Sequence, residues 1–581
     1  MARSKHKPKP SRPAAEAAPL HKLILFTRIL ATLLLAASSA ALTQLSLSPI
    51  YGSIPSARAK SLSFPLPWPG GKVQIALPGL WVMPLAFFVR MYVSKRRQGR
   101  LSGLLSVLGV LMPVLLAEMG RFSSGLGAEW GPVFVGGCAV GPLFLGSLVS
   151  VLGYDEGFVQ KGPGSKGVWS WDLPLIVGCY AILDKMQDVL GGALASNIAR
   201  WSGVSPFFSR FGLLAAVSTG YALLERPRKR LAALGGIALL HLLLLNPHLP
   251  FAYNTSLLNV TLQSEGYSLV ARQESLTGYI SVLDNTKDHF RVMRCDHSLL
   301  GGEWTNKPAG HPAVLNEPIY SIFVMLEAVR LVECESFKTV GQIADRVGSA
   351  LVIGLGVGTA PAALMEHGVE VTTVEIDPVV HDFAVEYFGL SHKHTSIIGD
   401  AVEVVKDLEV ATRTYDYIIH DVFTGGAEPI ELFTQEFLTG LKNLLYKDGV
   451  IAINYAGDLL LPSAISVIET VKSVFPICQF FREVPQPLPL REEDYTNIVM
   501  FCRMSTEPFT FRDPVEKDFL GSPARRQHLF PRNEVNNTAN GKGEILRTAH
   551  TAGLKASQMK SAIGHWQVMR TVLPAKVWET W

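Results

Sequence analysis

Ala350-Leu-Val-Ile-Gly-Leu-Gly-Val-Gly-Thr-Ala360 runs a buried apolar strand into a glycine-dense turn, and Pro361 to His367 continues as a helix. Glycines at 354, 356 and 358 let the backbone adopt dihedrals closed to other residues and approach a ligand closely. The helix that follows offers unpaired N–H groups at its first turn. A tight turn with no ligand has the same composition, so the flanking strands decide the reading.

Val369-Glu-Val-Thr-Thr-Val374 is the next strand, and it ends in Glu375-Ile-Asp377-Pro378. An acid about twenty residues beyond the first glycine is placed to accept hydrogen bonds from ribose hydroxyls. A dinucleotide enzyme would carry the same acid, but the glycine spacing here is not GxGxxG. After a helix containing Phe383 to Phe388, Ser396-Ile-Ile-Gly399-Asp400-Ala401 forms a third strand ending in an acid that suits an adenine amino group. Tyr415-Asp-Tyr-Ile-Ile-His-Asp421 and Val450-Ile-Ala-Ile-Asn454 supply a fourth and a fifth strand. Parallel α/β sheets bind ligands beyond the carboxyl ends of their strands, so Glu375, Asp400 and Asp421 are expected in one crevice.

Outward from this region the composition changes. The 581 residues are 48% hydrophobic and 18% charged, with a net charge of +4. The apolar excess lies before residue 251, which predicts two unlike halves and argues against nucleic-acid binding. Residues 1–22 read as a disordered basic arm. Apolar runs follow at 23–48, 75–93, 103–119, 130–153, 173–194, 210–225 and 231–250, several of them near the ~20 residues that cross a bilayer as a helix. They predict a multi-pass membrane domain over 23–250 with six or seven helices. The basic arm, Lys95-Arg96-Arg97 with Arg100, and Arg226-Pro-Arg228-Lys229-Arg230 are cytoplasmic markers. Seven crossings then place the C-terminal half on the opposite side of the membrane. Should the 173–194 run end at Leu183, before Asp184, Lys185 and Asp188, it does not cross and the C-terminal half faces the cytosol.

Asn246-Pro-His-Leu-Pro250 breaks the last apolar helix. Short β-branched runs then predict a small β-sheet over 257–310, with a Rossmann-like domain over 311–504 and a C-terminal extension over 505–581. An amphipathic helix is expected near Ile319–Val332. Asn254-Thr-Ser and Asn259-Val-Thr match the glycosylation acceptor pattern, which also arises by chance. The six cysteines have neither CxxC nor zinc spacing, so they are read as buried thiols and no metal site is expected.

Residues 262–504 resemble the spermidine synthase family, within the wider class of S-adenosylmethionine-dependent methyltransferases. Asp421-Val-Phe-Thr-Gly-Gly-Ala-Glu-Pro429, Leu432-Phe-Thr-Gln-Glu-Phe and Asp448-Gly449-Val carry the likeness, which is greatest to forms fused to a membrane domain. The fold class it implies is an N-terminal multi-pass α-helical membrane domain plus a C-terminal α/β Rossmann-like methyltransferase fold with a small preceding β-sheet.

By this resemblance the cofactor is S-adenosyl-L-methionine or its decarboxylated form. Gly354, Gly356, Gly358, Glu375, Asp400 and Ala401 bind it, and Asp421 and Tyr320, the latter in Glu317-Pro-Ile-Tyr320, serve catalysis. The glycine turn of aminopropyltransferases carries an aspartate for the donor's amine, and here that place is Val357. Thr424 stands where the catalytic loop has its second acid. Both changes favour methyl transfer to an amine or other small acceptor. Synthesis of a polyamine by aminopropyl transfer is the alternative, and a nucleoside-sensing transporter or scaffold without chemistry is a third. The partners expected are a lipid bilayer and a second copy of the chain.

Overall fold

The computed structural model describes all residues except 1–16, 58–62, 69–70, 93–103, 156–171, 225–228, 307–313, 334–347, 423–428, 486–493, 536–542, 551–554 and 581. The Lys95 cluster, Arg226 and Arg228, most of the basic arm, Cys334 and Thr424 therefore lie outside the described residues.

Each apolar run of the N-terminal half is helical: α1 (Ala17–Tyr51), α2 (Leu77–Tyr92), α3 (Leu105–Gly120), α4 (Ser123–Asp155), α5 (Asp172–Val204), α6 (Arg210–Leu224) and α7 (Lys229–Leu245). Helix α1 is the hub and packs on α4, α5 and α6. Its buried Ala36, Ala37, Ala40 and Ala41 let neighbouring helices approach closely. Among the described residues two helices are both long and apolar enough to cross a membrane, Leu20–Tyr51 and Ser123–Leu152. The segments Leu105–Gly120, Arg210–Leu224 and Ala232–Leu245 are apolar but shorter. By length and apolarity alone, then, the expected six or seven crossings reduce to two. Helix α5 does not stop at Leu183. It carries Asp184, Lys185 and Asp188 in its middle, so the reading of these charges as the end of a short helix is corrected.

The junction also differs from expectation. Residues Ala252–Gln263 form helix α8, not the first part of a sheet. The Asn254 amide donates to the carbonyls of Leu243 (3.1 Å) and Asn246 (2.7 Å), capping the broken end of α7. Leu258 and Leu262, one turn apart, are buried against Tyr267, Leu283 and Trp578. An antiparallel meander follows, β1 (Tyr267–Glu274), β2 (Tyr279–Asn285), β3 (Phe290–Cys295), β4 (Ser298–Trp304) and β5 (Glu317–Pro318), in sequential order. The amphipathic segment after it is a short α9 (Ser321–Leu326) that tightens into a 3₁₀ turn, Glu327–Leu331.

The main sheet contains β6 (Ser349–Ile353), β7 (Glu370–Glu375), β8 (Thr395–Ile398), β9 (Tyr415–His420), β10 (Leu445–Asp458), β11 (Ile477–Arg482), β12 (Tyr495–Arg503) and β13 (Asn533–Glu534). Their spatial order is β8-β7-β6-β9-β10-β12-β11-β13. Strands β8 to β10 are parallel and β12 is antiparallel to both its neighbours. The order reverses between β6 and β9, which is the switch point where such sheets bind ligands. Helices α10 (Thr359–Glu366), α11 (Pro378–Phe388), α12 (Ala401–Val410), α13 (Gln435–Asn443) and α14 (Pro462–Val474) cover the sheet, with an apolar core on each face.

Cys478 and Cys502 stand directly opposite each other on β11 and β12 and form a disulfide, correcting their reading as thiols. Residues 24 apart in sequence meet only because the strands pair in this register.

The C-terminal extension contains α15 (Pro523–His528), α16 (Lys555–Val572) and α17 (Ala575–Glu579). The last two lie where bundle and meander meet. Trp566 Nε1 donates to the Ile50 carbonyl at 2.9 Å, and Arg570 donates to Ser123 Oγ at 2.8 Å. Arg294, on β3, donates to the carbonyls of Pro49 and Val577, both at 3.1 Å. Nearby, the buried Arg210 of α6 pairs with Glu274 (2.7 Å) and Asp296 (3.4 Å) of the meander. Buried ions held this way are costly to unpair, so the bundle and the sheet are locked together.

Candidate active site

The carboxyl edge of the main sheet presents its functional groups in strand order. From one side to the other stand Asp400 after β8, Glu375 at the end of β7, Gly354 after β6, Asp421 after β9, and Asn454 on β10. Asn497 and Tyr495 follow at the start of β12, and Glu483 just after β11. All of them line one cavity of about 830 Å³, together with Gly356, Ala401 and Tyr320.

Glu375 anchors the nucleoside side. Its carboxylate accepts from the backbone N–H groups of Leu355 and Asp377, both at 2.9 Å, and so fixes the glycine turn to β7. Burial pushes this carboxyl up to about 7, against the lowering effect of those bonds. A carboxylate has about four acceptor sites, so two bonds leave capacity for ribose hydroxyls. Gly354 has φ +84°, and a Cβ there would lie 2.0 Å from the Asp421 carbonyl oxygen. Gly356 is equally confined, with a Cβ position 2.5 Å from the Leu300 carbonyl oxygen of the meander. Gly358, also at positive φ, is the N-cap of α10. A side chain at any of the three would collide with the residues packed behind the turn, so the turn requires glycine.

Asp400 is exposed and caps α12, accepting from Val402 N–H at 2.9 Å. Ala401 is the buried first residue of that helix. Val357, in the place of the aminopropyltransferase aspartate, points away from the cavity's charged groups into an apolar cluster with Met293, Val379 and Phe383. A Cβ on Gly301 would come within 2.6 Å of it, so the contact with the meander is tight. A carboxylate in that position would be desolvated without a partner.

Asp421 stands at the switch point. Its Oδ1 accepts from Asn454 Nδ2 at 2.8 Å, and burial pushes its carboxyl up to about 6. Tyr320 is the N-cap residue of α9. Its hydroxyl is buried and has no hydrogen-bond partner among the described residues. Burial, with Glu483 nearby, holds that hydroxyl well above its usual pKa range. It is therefore a neutral donor.

Sequence reasoning did not single out Asn454, Asn497, Glu483, Tyr495 or His565 as site residues. Asn454 had a signal, since it ends the fifth strand as Asp421 ends the fourth. The others lie on antiparallel strands or on α16, where no local motif marks them. His565 Nδ1 lies 3.2 Å from the Tyr495 hydroxyl, and burial lowers the imidazole to about 3, so it is neutral.

Sheet order, glycine cradle and acids together define an S-adenosylmethionine-dependent transferase. The profile of the spermine/spermidine synthase domain matches residues 338–493. The chain is 42% identical over 576 residues, 95% of its length and 96% of the relative's, to an N-terminal histidine N-methyltransferase of Emericella nidulans, and it belongs to that family. A polyamine aminopropyltransferase of Vibrio vulnificus is 41% identical over 108 residues, covering 18% of this chain and 36% of that one. Among solved structures, human methyltransferase-like protein 13 in complex with SAH aligns at 22% identity and a TM-score of 0.24, over 38% of this chain and 93% of that one. The chain is thus an S-adenosylmethionine-dependent enzyme of spermidine-synthase-like type in which methyl transfer is the favoured reaction.

Proposed function

We propose that the enzyme methylates a nitrogen of an N-terminal histidine on a protein or peptide. The observation that carries this reading is the full-length likeness to a methyltransferase of that specificity. S-adenosylmethionine supplies a methyl group on a sulfonium: the acceptor nitrogen's lone pair forms the new N–C bond while the C–S pair stays on sulfur. Glu375 holds the ribose, Asp400 the adenine amino group, and the turn at Gly354, Gly356 and Gly358 receives the methionine chain that leads from the ribose. Asp421 takes the proton that the acceptor sheds on methylation, a role that suits a carboxyl titrating near neutrality. Asn454 holds one Asp421 oxygen in place, so the other faces the acceptor. Tyr320 donates from the cavity wall and orients the acceptor.

The test offers the purified full chain S-adenosylmethionine with a peptide beginning in histidine, the same peptide beginning in alanine, and putrescine with decarboxylated donor. Methylation confined to the first peptide supports the reading. Aminopropyl transfer to putrescine replaces it.

We further propose that the helical bundle lies in a membrane. Leu23, Phe26 and Leu30 of α1, Leu111 and Leu115 of α3, Phe134 of α4 and Ile237 and Leu240 of α7 are exposed, a surface suited to lipid. Helices α2, α3, α6 and α7 are short spans, and α5 crosses with Asp184 half-buried and Lys185 and Asp188 exposed. The Cys478–Cys502 disulfide supports the seven-crossing orientation, with the catalytic domain in an oxidising compartment. Protease protection of the domain in sealed microsomes tests it, and digestion without detergent overturns it.

A further inference from the structure

Beyond Asp421 the cavity has a consistent electrostatic character. Asp421 and Glu483 are among the acids of its wall, while the adjoining Tyr320, Tyr495, Asn454, Asn497 and His565 are neutral. Among the described residues the lysine of the cavity wall is Lys406, on α12 at the nucleoside side, where Glu403 binds it at 2.9 Å. No arginine lines the wall among the described residues. Arg482, next to Glu483 in sequence, is committed to Asp494 through two bonds of 2.7 and 2.6 Å. It does not neutralise Glu483.

Glu483 is itself held in place. Ser321 Oγ donates to its Oε1 at 2.6 Å, and its backbone N–H bonds the Asn497 carbonyl at 3.2 Å. The Ser321 bond sets the carboxylate beside Tyr320, whose hydroxyl is buried and unpaired among the described residues. A fixed anion and a waiting donor on one wall, with no fixed cation opposite among the described residues, suit a ligand that brings a positive charge and an acceptor of its own. A peptide N-terminus brings both, as an ammonium beside the first carbonyl oxygen. An α-amino group, with an ordinary pKa of ~7.7–8.0, is mostly protonated at neutral pH.

We propose that Glu483 is the specificity residue that reads the free α-ammonium of the acceptor, with Tyr320 donating to its first carbonyl. This inference rests on the acceptor reading above. An ammonium bound there has no lone pair, so the attacking nitrogen is the unprotonated ring nitrogen of the side chain; the C–S pair stays on sulfur as the N–C bond forms, and the proton of the other ring nitrogen goes to Asp421.

The experiment compares a histidine-first peptide with its N-acetylated form on the full chain and on Glu483→Gln and Glu483→Asp, with SAH affinity measured by calorimetry. The wild type should favour the free amine in kcat/KM by at least ~30-fold. Glu483→Gln should reduce that preference to below ~3-fold, through KM for the free peptide, and Glu483→Asp should restore part of it. SAH affinity within ~2-fold of wild type shows that the variants are folded and separates acceptor reading from nucleoside binding. A preference that survives Glu483→Gln overturns the role of Glu483 and leaves the proposed function standing. A wild type that binds SAH but methylates neither peptide overturns both.

Discussion

The two sides of the cavity are built by different means. On the nucleoside side, Gly354 to Gly358, Glu375, Asp400 and Ala401 come from three consecutive strand-to-helix turns within fifty residues, roughly the span two βα units need. On the acceptor side, Tyr320, Asp421, Asn454, Glu483, Tyr495 and His565 come from six separate elements, the last on a helix beyond the main sheet. A common ligand can be read by a local motif. A particular acceptor is read by whatever the fold brings to the far end of the sheet edge.

The comparison breaks most visibly at Asp421, which belongs to the chemistry. Asp421→Asn keeps the shape and the contact with Asn454 but cannot take a proton. Turnover should fall by about 10²–10⁴, as for loss of a general base, while SAH affinity by calorimetry stays within about threefold. Unchanged turnover would remove Asp421 from the mechanism.

Gly354→Ala crosses the divide in the other direction. The new Cβ would meet the carbonyl oxygen of Asp421, and φ +84° is itself unfavourable for alanine. Strain of ~1–3 kcal/mol corresponds to a loss of roughly 10- to 100-fold in SAH affinity. Because the clash is with the residue after β9, turnover with saturating donor should fall as well. This is the one substitution expected to damage both sides.

These contrasts also show what was legible in the sequence. Glycine turns and acids at strand ends are local, so the succession of five strands and the acids that end them could be read from residues 350–454. The acceptor side was not, because Tyr495 and Glu483 reach the same edge only through the antiparallel pairing of β11 and β12. Cys478 and Cys502 eluded the reading for the same reason: their partnership depends on register, which spacing does not encode. Helix α8 was read as the start of the sheet because its β-branched Val260 and Thr261 resemble strand residues, while the cap supplied by Asn254 works through tertiary contacts. The charges of α5 terminated a predicted span because hydropathy ends there, although the helix itself continues.

His565→Phe sharpens the comparison from the far side of the fold. The ring shape is kept and the bond to the Tyr495 hydroxyl is lost. With a neutral hydrogen bond worth ~0.5–1.5 kcal/mol, KM for the acceptor should rise about 3- to 10-fold with SAH affinity unaltered. An effect on SAH affinity instead would mean that α16 supports the nucleoside side and that the division drawn here is false.

The smallest effect is the most discriminating, because two groups can produce the same acid limb in a pH profile. An imidazole acceptor loses its nucleophilic lone pair below ~6.5, and Asp421 loses its basic form as pH falls through about 6. Activity therefore drops on acidification whichever group governs it. Asn454→Ala separates them. Burial raises the Asp421 carboxyl, and the Asn454 amide at 2.8 Å opposes that by stabilising the ionised form. Without the amide, Asp421 holds its proton to higher pH, and a limb governed by it should move upward by about one unit, equivalent to ~1.4 kcal/mol. A limb governed by the acceptor imidazole stays where it was, since that group belongs to the substrate. Measuring kcat/KM from pH 5 to 9 for wild type and Asn454→Ala reads the difference directly. A stationary limb with reduced turnover would leave Asn454 a structural neighbour and assign the titration to the acceptor.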